Sequence, residues 1–130
     1  MFVLDTNTVI YFFKGSGNVP QNLLGKSPKD IGIPTIVLFE LEVGIAKSTS
    51  PRKRIKQLQD LVAVVHVLPF GIKEARAAAS VRAQLEEMGI GIGPYDILIS
   101  GTALAHQATL VTHNIKEFSR IQKLKIEDWY

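Results

Sequence analysis

The chain has 130 residues and a formal net charge of +3; it is 46% hydrophobic and 21% charged, and it contains no cysteine. Those proportions belong to a globular domain large enough to bury a core, and they exclude disulfides, thiolate metal sites, iron–sulfur clusters and a cysteine nucleophile. The longest apolar runs are about five residues, far short of the ~20 needed for a membrane span.

The opening Met1-Phe2-Val3-Leu4-Asp5 has no basic leader, so a reducing cytoplasm is the expected compartment, with no membrane partner. Phe2 to Leu4 reads as an apolar strand. Asp5-Thr6-Asn7-Thr8 follows, all residue types that cap helices. Val9 to Phe13 is expected as a short helix stopped near Gly15 and Gly17. Residues 18 to 30 form a polar, proline-containing stretch with a helical turn around Gln21 to Leu24. Ile31 to Ile33 is a short strand, and Thr35 is placed to cap a helix from Ile36 to about Lys47.

Pro51 suits the first turn of a helix from Arg52 to Val62. His66 to Leu68 is a strand closed by Pro69, and a long helix from Ile72 to Met88 ends at Gly89. After the glycine-rich Ile90 to Gly93, Pro94 opens a helix from Tyr95 to about Gln107. Thr109 to Thr112 is a strand, Asn114 begins a turn or short helix to Arg120, and Lys125 to Trp129 adds an edge strand. Short apolar strands alternating with helices predict one α/β domain over residues 1–130, a mainly parallel sheet of about five strands with helices on both faces.

Sites in such sheets form outside the carboxyl ends of the strands, and three acids stand out there. Asp5 directly follows the first strand; it is either a helix cap or a site residue. Glu40 lies among Ile36, Val37, Leu38, Phe39, Leu41, Val43, Ile45 and Ala46, a helix apolar nearly all round and therefore expected to be buried. A buried carboxylate is costly unless it is paired or bound to a cation. The alternative is a solvated Glu at a helix edge, touching Lys47. Gly44 clears space one turn beyond Glu40. Asp96 falls in a first helical turn, where an acid meets the helix dipole favourably, and its face continues through the small Ser100 and Ala103.

Two unit charges 4 Å apart repel by about 4 kcal/mol at an effective dielectric of 20. Three converging carboxylates would need protons, arginines or a metal, and all-oxygen ligands select magnesium or manganese over zinc or copper. His66, His106 and His113 form no matching zinc motif; His113 could reach the site but reads more simply as a surface side chain.

Five segments, in order, carry a resemblance: Leu4-Asp5-Thr6-Asn7; Phe39-Glu40-Leu41 with Gly44; Ile92-Gly93-Pro94-Tyr95-Asp96; Leu110-Val111-Thr112-His113-Asn114 with Glu117-Phe118; and Ile126-Glu127-Asp128-Trp129. Together they resemble the PIN domain, and within it the VapC toxins of type II toxin–antitoxin pairs. The resemblance implies the PIN fold and a metal-dependent endoribonuclease that cuts RNA, with tRNA a candidate substrate, to inhibit translation. It puts Asp5, Glu40 and Asp96 on the metal-site positions, with Mg2+ or Mn2+ as cofactor. It puts Asn114 where many members carry a fourth acid; Glu117, one turn on, is either a partial substitute or a surface residue. It further implies a homodimer and a cognate VapB-like antitoxin. Thr6 and Ser100 are candidates to orient the ligands. Gly91-Ile92-Gly93-Pro94 resembles members acting on initiator tRNA.

Two basic runs could meet phosphates: Arg52, Lys53, Arg54 and Lys56, and Lys116, Arg120, Lys123 and Lys125. The second follows Asn114 and is the better placed. Neither has interleaved aromatics. Tyr11, Phe12 and Phe13 cannot all point inward from one helix; they pack under the following loop or form an interface patch. A receiver domain would need an acidic pair after strand one, and a DxDxT phosphatase an acid at Asn7. The remaining rival is a catalytically silent PIN-like module that binds RNA or antitoxin without cutting.

Overall fold

The computed structural model describes residues 1–130. Five strands, β1 (Phe2–Leu4), β2 (Ile31–Pro34), β3 (His66–Leu68), β4 (Thr109–Val111) and β5 (Lys125–Glu127), form one sheet in the order β3-β2-β1-β4-β5. Every neighbouring pair is parallel, with Val3 opposite Gly32 on one side and Leu110 on the other. Successive strand residues point to opposite faces, yet all of β2 and the last two residues of β1 and β4 are buried. Both faces of the sheet's centre are therefore covered.

Seven helices supply that cover: α1 (Thr6–Lys14), α2 (Val19–Leu24), α3 (Thr35–Lys47), α4 (Arg52–Val62), α5 (Ile72–Glu87), α6 (Pro94–Ala105) and α7 (Ile115–Phe118). A single 23-residue apolar cluster runs through sheet and helices, from Val3 and Leu4 to Phe118 and Trp129. No helix is long and apolar enough to cross a membrane.

Local chemistry explains the helix ends. Gly15 takes a left-handed φ of 69° and stops α1, a conformation that carries no Cβ penalty in glycine. Pro51 and Pro94 stand at the starts of α4 and α6, as expected. Thr35 does not cap α3 with its side chain: the cap position is Pro34, and Thr35 is the first helical residue. Helix α2 also starts earlier than the turn expected around Gln21, because Pro20 fits an opening helical turn.

Helices α5 and α6 make the tightest pair. A Cβ on Gly101 would meet Ala78 Cβ at 2.5 Å and its backbone at 2.6 Å, so only glycine lets the two axes approach this closely.

The expectation of a wholly buried α3 needs correcting. Only Val37 and Leu41 are buried, Ala46 is exposed, and Phe39 is 50% exposed. Val37 and Leu41 join the core, Ile36, Leu38 and Ile45 pack against it, and Phe39 and Ala46 are left at the surface.

Candidate active site

The strand order makes β1 and β4 the neighbours from which the chain departs in opposite directions, β1 towards β2 and β4 towards β5. An α/β sheet leaves a crevice outside the carboxyl ends of such a pair. Asp5 and the Thr112–Asn114 turn stand there because they directly follow Leu4 and Val111.

Asp5 is only 6% exposed. It caps α1, accepting a hydrogen bond from the Thr8 amide at 2.9 Å. The Asp5 amide donates to the Val111 carbonyl at 3.2 Å, and Thr8 Oγ1 donates to the same carbonyl at 3.1 Å. The start of α1 is thus pinned to β4, and Asp5 acts as its cap while standing at the mouth of the crevice. Burial pushes its carboxyl above the usual range; hydrogen bonds from Thr112 and Thr8 oppose the rise, and the charge of Asp128 adds to it.

Glu40 reaches the crevice from α3, half-buried, and accepts a hydrogen bond from Thr6 Oγ1 at 2.7 Å. Thr6 therefore orients an acid, as expected. Asp96 arrives from the first turn of α6. Its carboxyl is pushed up to about 6, first by burial and then by the charges of Asp5, Glu40 and Glu117. Acids 91 and 56 positions earlier in the sequence therefore act on Asp96 in space.

Asn114 and Glu117 form the outer part of the site. Asn114 Nδ2 donates to Glu117 Oε2 at 2.9 Å, and the Asn114 amide donates to Thr112 Oγ1 at 3.0 Å. Both side chains are more accessible than Asp5. The charge of Glu117 still reaches Asp96.

No basic side chain pairs with Asp5, Glu40 or Asp96; the four ion pairs of the molecule are Lys56–Asp60, Arg82–Glu86, His106–Glu74 and His113–Asp128. The acids also do not close into a finished cage, since no three Asp, Glu, His or Cys side chains surround one point. An unneutralised, all-oxygen, open set fits a hard cation that keeps several waters and takes one or two carboxylates, as magnesium does. It does not fit zinc.

Other expected residues take different places. Ser100 Oγ donates to the Asp96 carbonyl at 2.7 Å, a bond within α6, and so orients no carboxylate. His113 Nδ1 lies 2.9 Å from Asp128 Oδ2, and its ring stacks on Tyr130 with centroids 4.4 Å apart. Tyr11 packs edge-on to Tyr130 at 4.9 Å, while Phe13 is buried with Phe12 against it and Arg54 of α4 over its ring. In the first basic run, Lys56 pairs with Asp60, and Arg54 bonds Gln57 and lies 5.3 Å over the Phe13 ring. Lys116, Lys123 and Lys125 of the second are exposed and unpaired.

Thr112 and Asp128 act on Asp5 without having been singled out as site residues. Thr112 ends an apolar strand run, a position that delivers a side chain to the crevice. Asp128 stood in the Ile126-Glu127-Asp128-Trp129 segment that carries the resemblance, with nothing local to tie it to Asp5.

Five short parallel strands, a switch-point crevice and acids contributed from β1, α3 and α6 define the class. The profile described as PIN domain matches residues 2–124, and the chain belongs to that family. Within it the chain sits among VapC proteins. It is 36% identical to "Ribonuclease VapC2" of Rickettsia felis over 131 residues, covering 99% of this chain and 98% of the relative. It is 33% identical to the "tRNA(fMet)-specific endonuclease VapC" of Salmonella typhimurium over 128 residues, covering 98% and 97%. Among solved structures it is similar to a chain of VapBC2 from Rickettsia felis bound to a promoter DNA fragment, with a TM-score of 0.92, 35% identity and 99% and 98% of the two chains covered. DNA-bound VapBC from Salmonella typhimurium gives a TM-score of 0.92 at 32% identity, again over 99% and 98%.

Proposed function

We propose that this chain is an endoribonuclease of the VapC type, the toxin half of a toxin–antitoxin pair, acting on RNA in the cytoplasm to inhibit translation. The observation that carries the reading is the convergence of acids on Asp96 with no basic partner: burial first, then the charges of Asp5, Glu40 and Glu117, push its carboxyl up to about 6. Relatives named ribonuclease or tRNA(fMet)-specific endonuclease support it, and they make initiator tRNA the first substrate to try. Neighbours solved as VapBC complexes support a VapB-like antitoxin as partner. A homodimer is part of the same proposal.

In this reading Asp5, Glu40 and Asp96 hold a divalent cation, Mg2+ or Mn2+. When bound, the cation neutralises charge on the phosphoryl oxygens and eases the ionisation of water. The chain's own groups supply the rest. Thr8 and Thr112 hold the Asp5 carboxylate, and Thr6 holds Glu40. With the cation in place, one of these carboxylates would accept a proton from the attacking water. Asn114 steadies Glu117 at the edge, adding a fourth carboxylate without adding a charge of its own. Lys116, Lys123 and Lys125 draw the phosphate backbone in, with affinity falling as salt rises.

The test is cleavage of total RNA and of purified tRNA by the isolated chain, with Mg2+, with Mn2+ and with chelator, alongside the Asp5→Asn, Asp96→Asn double variant. Cation-dependent cutting that the double variant lacks is the expected result. Cutting retained by the double variant rejects the site. No cutting by either, with RNA still bound, leaves the silent-module reading standing.

A further inference from the structure

We propose that Phe39 and Tyr95 form a stacking platform for an unpaired RNA base beside the carboxylates, an inference that deepens the ribonuclease reading and rests on it. Phe39 immediately precedes Glu40 on α3, and Tyr95 immediately precedes Asp96 on α6. Each ring therefore springs from a Cα about 3.8 Å from that of an acid. The two rings meet across the helices edge to face, centroids 5.6 Å apart and planes at 66°. They stay accessible, Phe39 at 50% and Tyr95 at 44%.

Of the other aromatic contacts only His113 on Tyr130 joins two exposed rings, and those already stack on each other, centroids 4.4 Å apart. Phe2 packs on the buried Trp129, Phe12 on the buried Phe13, and Tyr11 and Tyr130 on each other and on His113. Phe39 and Tyr95 are the one contacting pair of benzenoid rings in which both members are exposed. The surroundings are open as well. A Cβ on Gly44 or Gly91 would meet nothing within 4 Å, and one on Gly93 would meet only Asp96 Oδ2, at 3.8 Å.

A phosphodiester lying against Glu40 and Asp96 carries a base on the adjoining nucleotide. An edge-to-face pair leaves ring face uncovered, and every base has a π-face to lay on it. Stacking of this kind needs a base already out of a helix, so the substrate class is a single-stranded or loop phosphodiester, with the gripped base next to the cut. A second copy of the chain is a poorer occupant. A second copy seated on the rings would crowd the adjoining positions 40 and 96, whose acids have no basic partner to offset a loss of water.

The test uses the Asp5→Asn chain, so that binding is read without cleavage, and a short single-stranded oligoribonucleotide carrying 2-aminopurine. Binding is expected to quench the fluorophore. Phe39→Leu with Tyr95→Leu should abolish the quench and weaken binding about tenfold, whereas Phe39→Trp and Tyr95→Phe should retain both. An abasic nucleotide at the quenched position should cost the intact rings the same factor and cost the leucine variant nothing more; the single Tyr95→Leu variant repeats this comparison with a milder change. A quench that survives both leucines, losses that simply multiply, or no binding of the oligonucleotide overturns the proposal. So does a leucine variant that loses self-association in sedimentation while stacking is untouched, an outcome that assigns the rings to a second copy. If the parent chain quenches the probe but cuts no RNA with Mg2+, the nuclease reading alone has failed.

Discussion

Helix α6 carries a half-buried ionisable side chain at each end, and the two are treated in opposite ways. Asp96 and His106 are ten residues apart, roughly 15 Å along the axis. At the amino-terminal end, Asp96 faces Asp5, Glu40 and Glu117 with no basic partner, and its carboxyl is pushed up to about 6. At the other end His106 Nε2 lies 3.2 Å from Glu74 Oε2, close but not aligned as a hydrogen bond. Glu74 also accepts from the Gly71 amide at 2.9 Å. That amide, then Glu74's own amide and the neighbouring His106, hold the Glu74 carboxyl below its ordinary range. One end surrounds an acid with donors and gains stability. The other surrounds acids with acids and holds the repulsion in reserve for a ligand.

The widest test of this contrast is activity. Asp96→Asn should lower cation-dependent RNA cleavage by about 100-fold or more with an unchanged circular dichroism spectrum. Glu74→Gln should leave cleavage where it was. Equal losses in both would erase the distinction between the ends.

Next comes the seam between α5 and α6. Gly101→Ala forces a methyl group into Ala78 and should cost about 1–3 kcal/mol of stability, measured by urea unfolding. Because it displaces the helix as a whole, it is expected to disturb both ends, unlike the two end variants.

Metal removal and pH then sharpen the comparison. The ordinary pKa of Asp96 is 3.8, and in the folded, metal-free chain it is about 6. Between these values the native state binds more protons than the unfolded state, so this group's contribution falls as pH rises, and the penalty is complete above the folded value. In chelator, Asp96→Asn should therefore melt above the parent at pH 7, with the difference closing below about pH 4. Saturating Mg2+ should stabilise the parent, by about 2.7 kcal/mol at a hundred times its Kd, and the Asn variant much less. Glu74 has the reverse sign. Its lowered pKa contributes stability above the unfolded value, lost as pH falls through the folded one, so Glu74→Gln should melt below the parent at pH 7 and converge with it in acid. This is the smallest expected effect.

The strands were legible because they are short apolar runs ended by proline or by a polar cluster, and four of the five lie within a residue of expectation. The acids at 5, 40 and 96 were legible for a related reason: each is out of place in an otherwise apolar or small-residue setting. What the sequence could not convey depends on partners distant in the chain. The apolar surround of Glu40 read as burial, but periodicity cannot distinguish a core face from an apolar face left at the surface, and Phe39 and Ala46 stand on the latter. Ser100 is small and near Asp96, but its hydroxyl finds its own helix carbonyl four residues back, the local bond such residues favour. The His113–Asp128 pair joins two strand ends that meet only once β5 lies beside β4. Asp128 acquires its influence on Asp5 through that pairing, not through any local pattern.

Strand β1 lies at the centre of the sheet, between β2 and a strand that begins at Thr109. A ribosome making this chain therefore releases Asp5 first and the β4 carbonyl that anchors its helix more than a hundred residues later. Until then the three acids exist without a crevice to share. Synthesis itself sets a delay: a nascent chain held beside ribosomal and transfer RNA has no assembled cutting site until translation has almost finished with it.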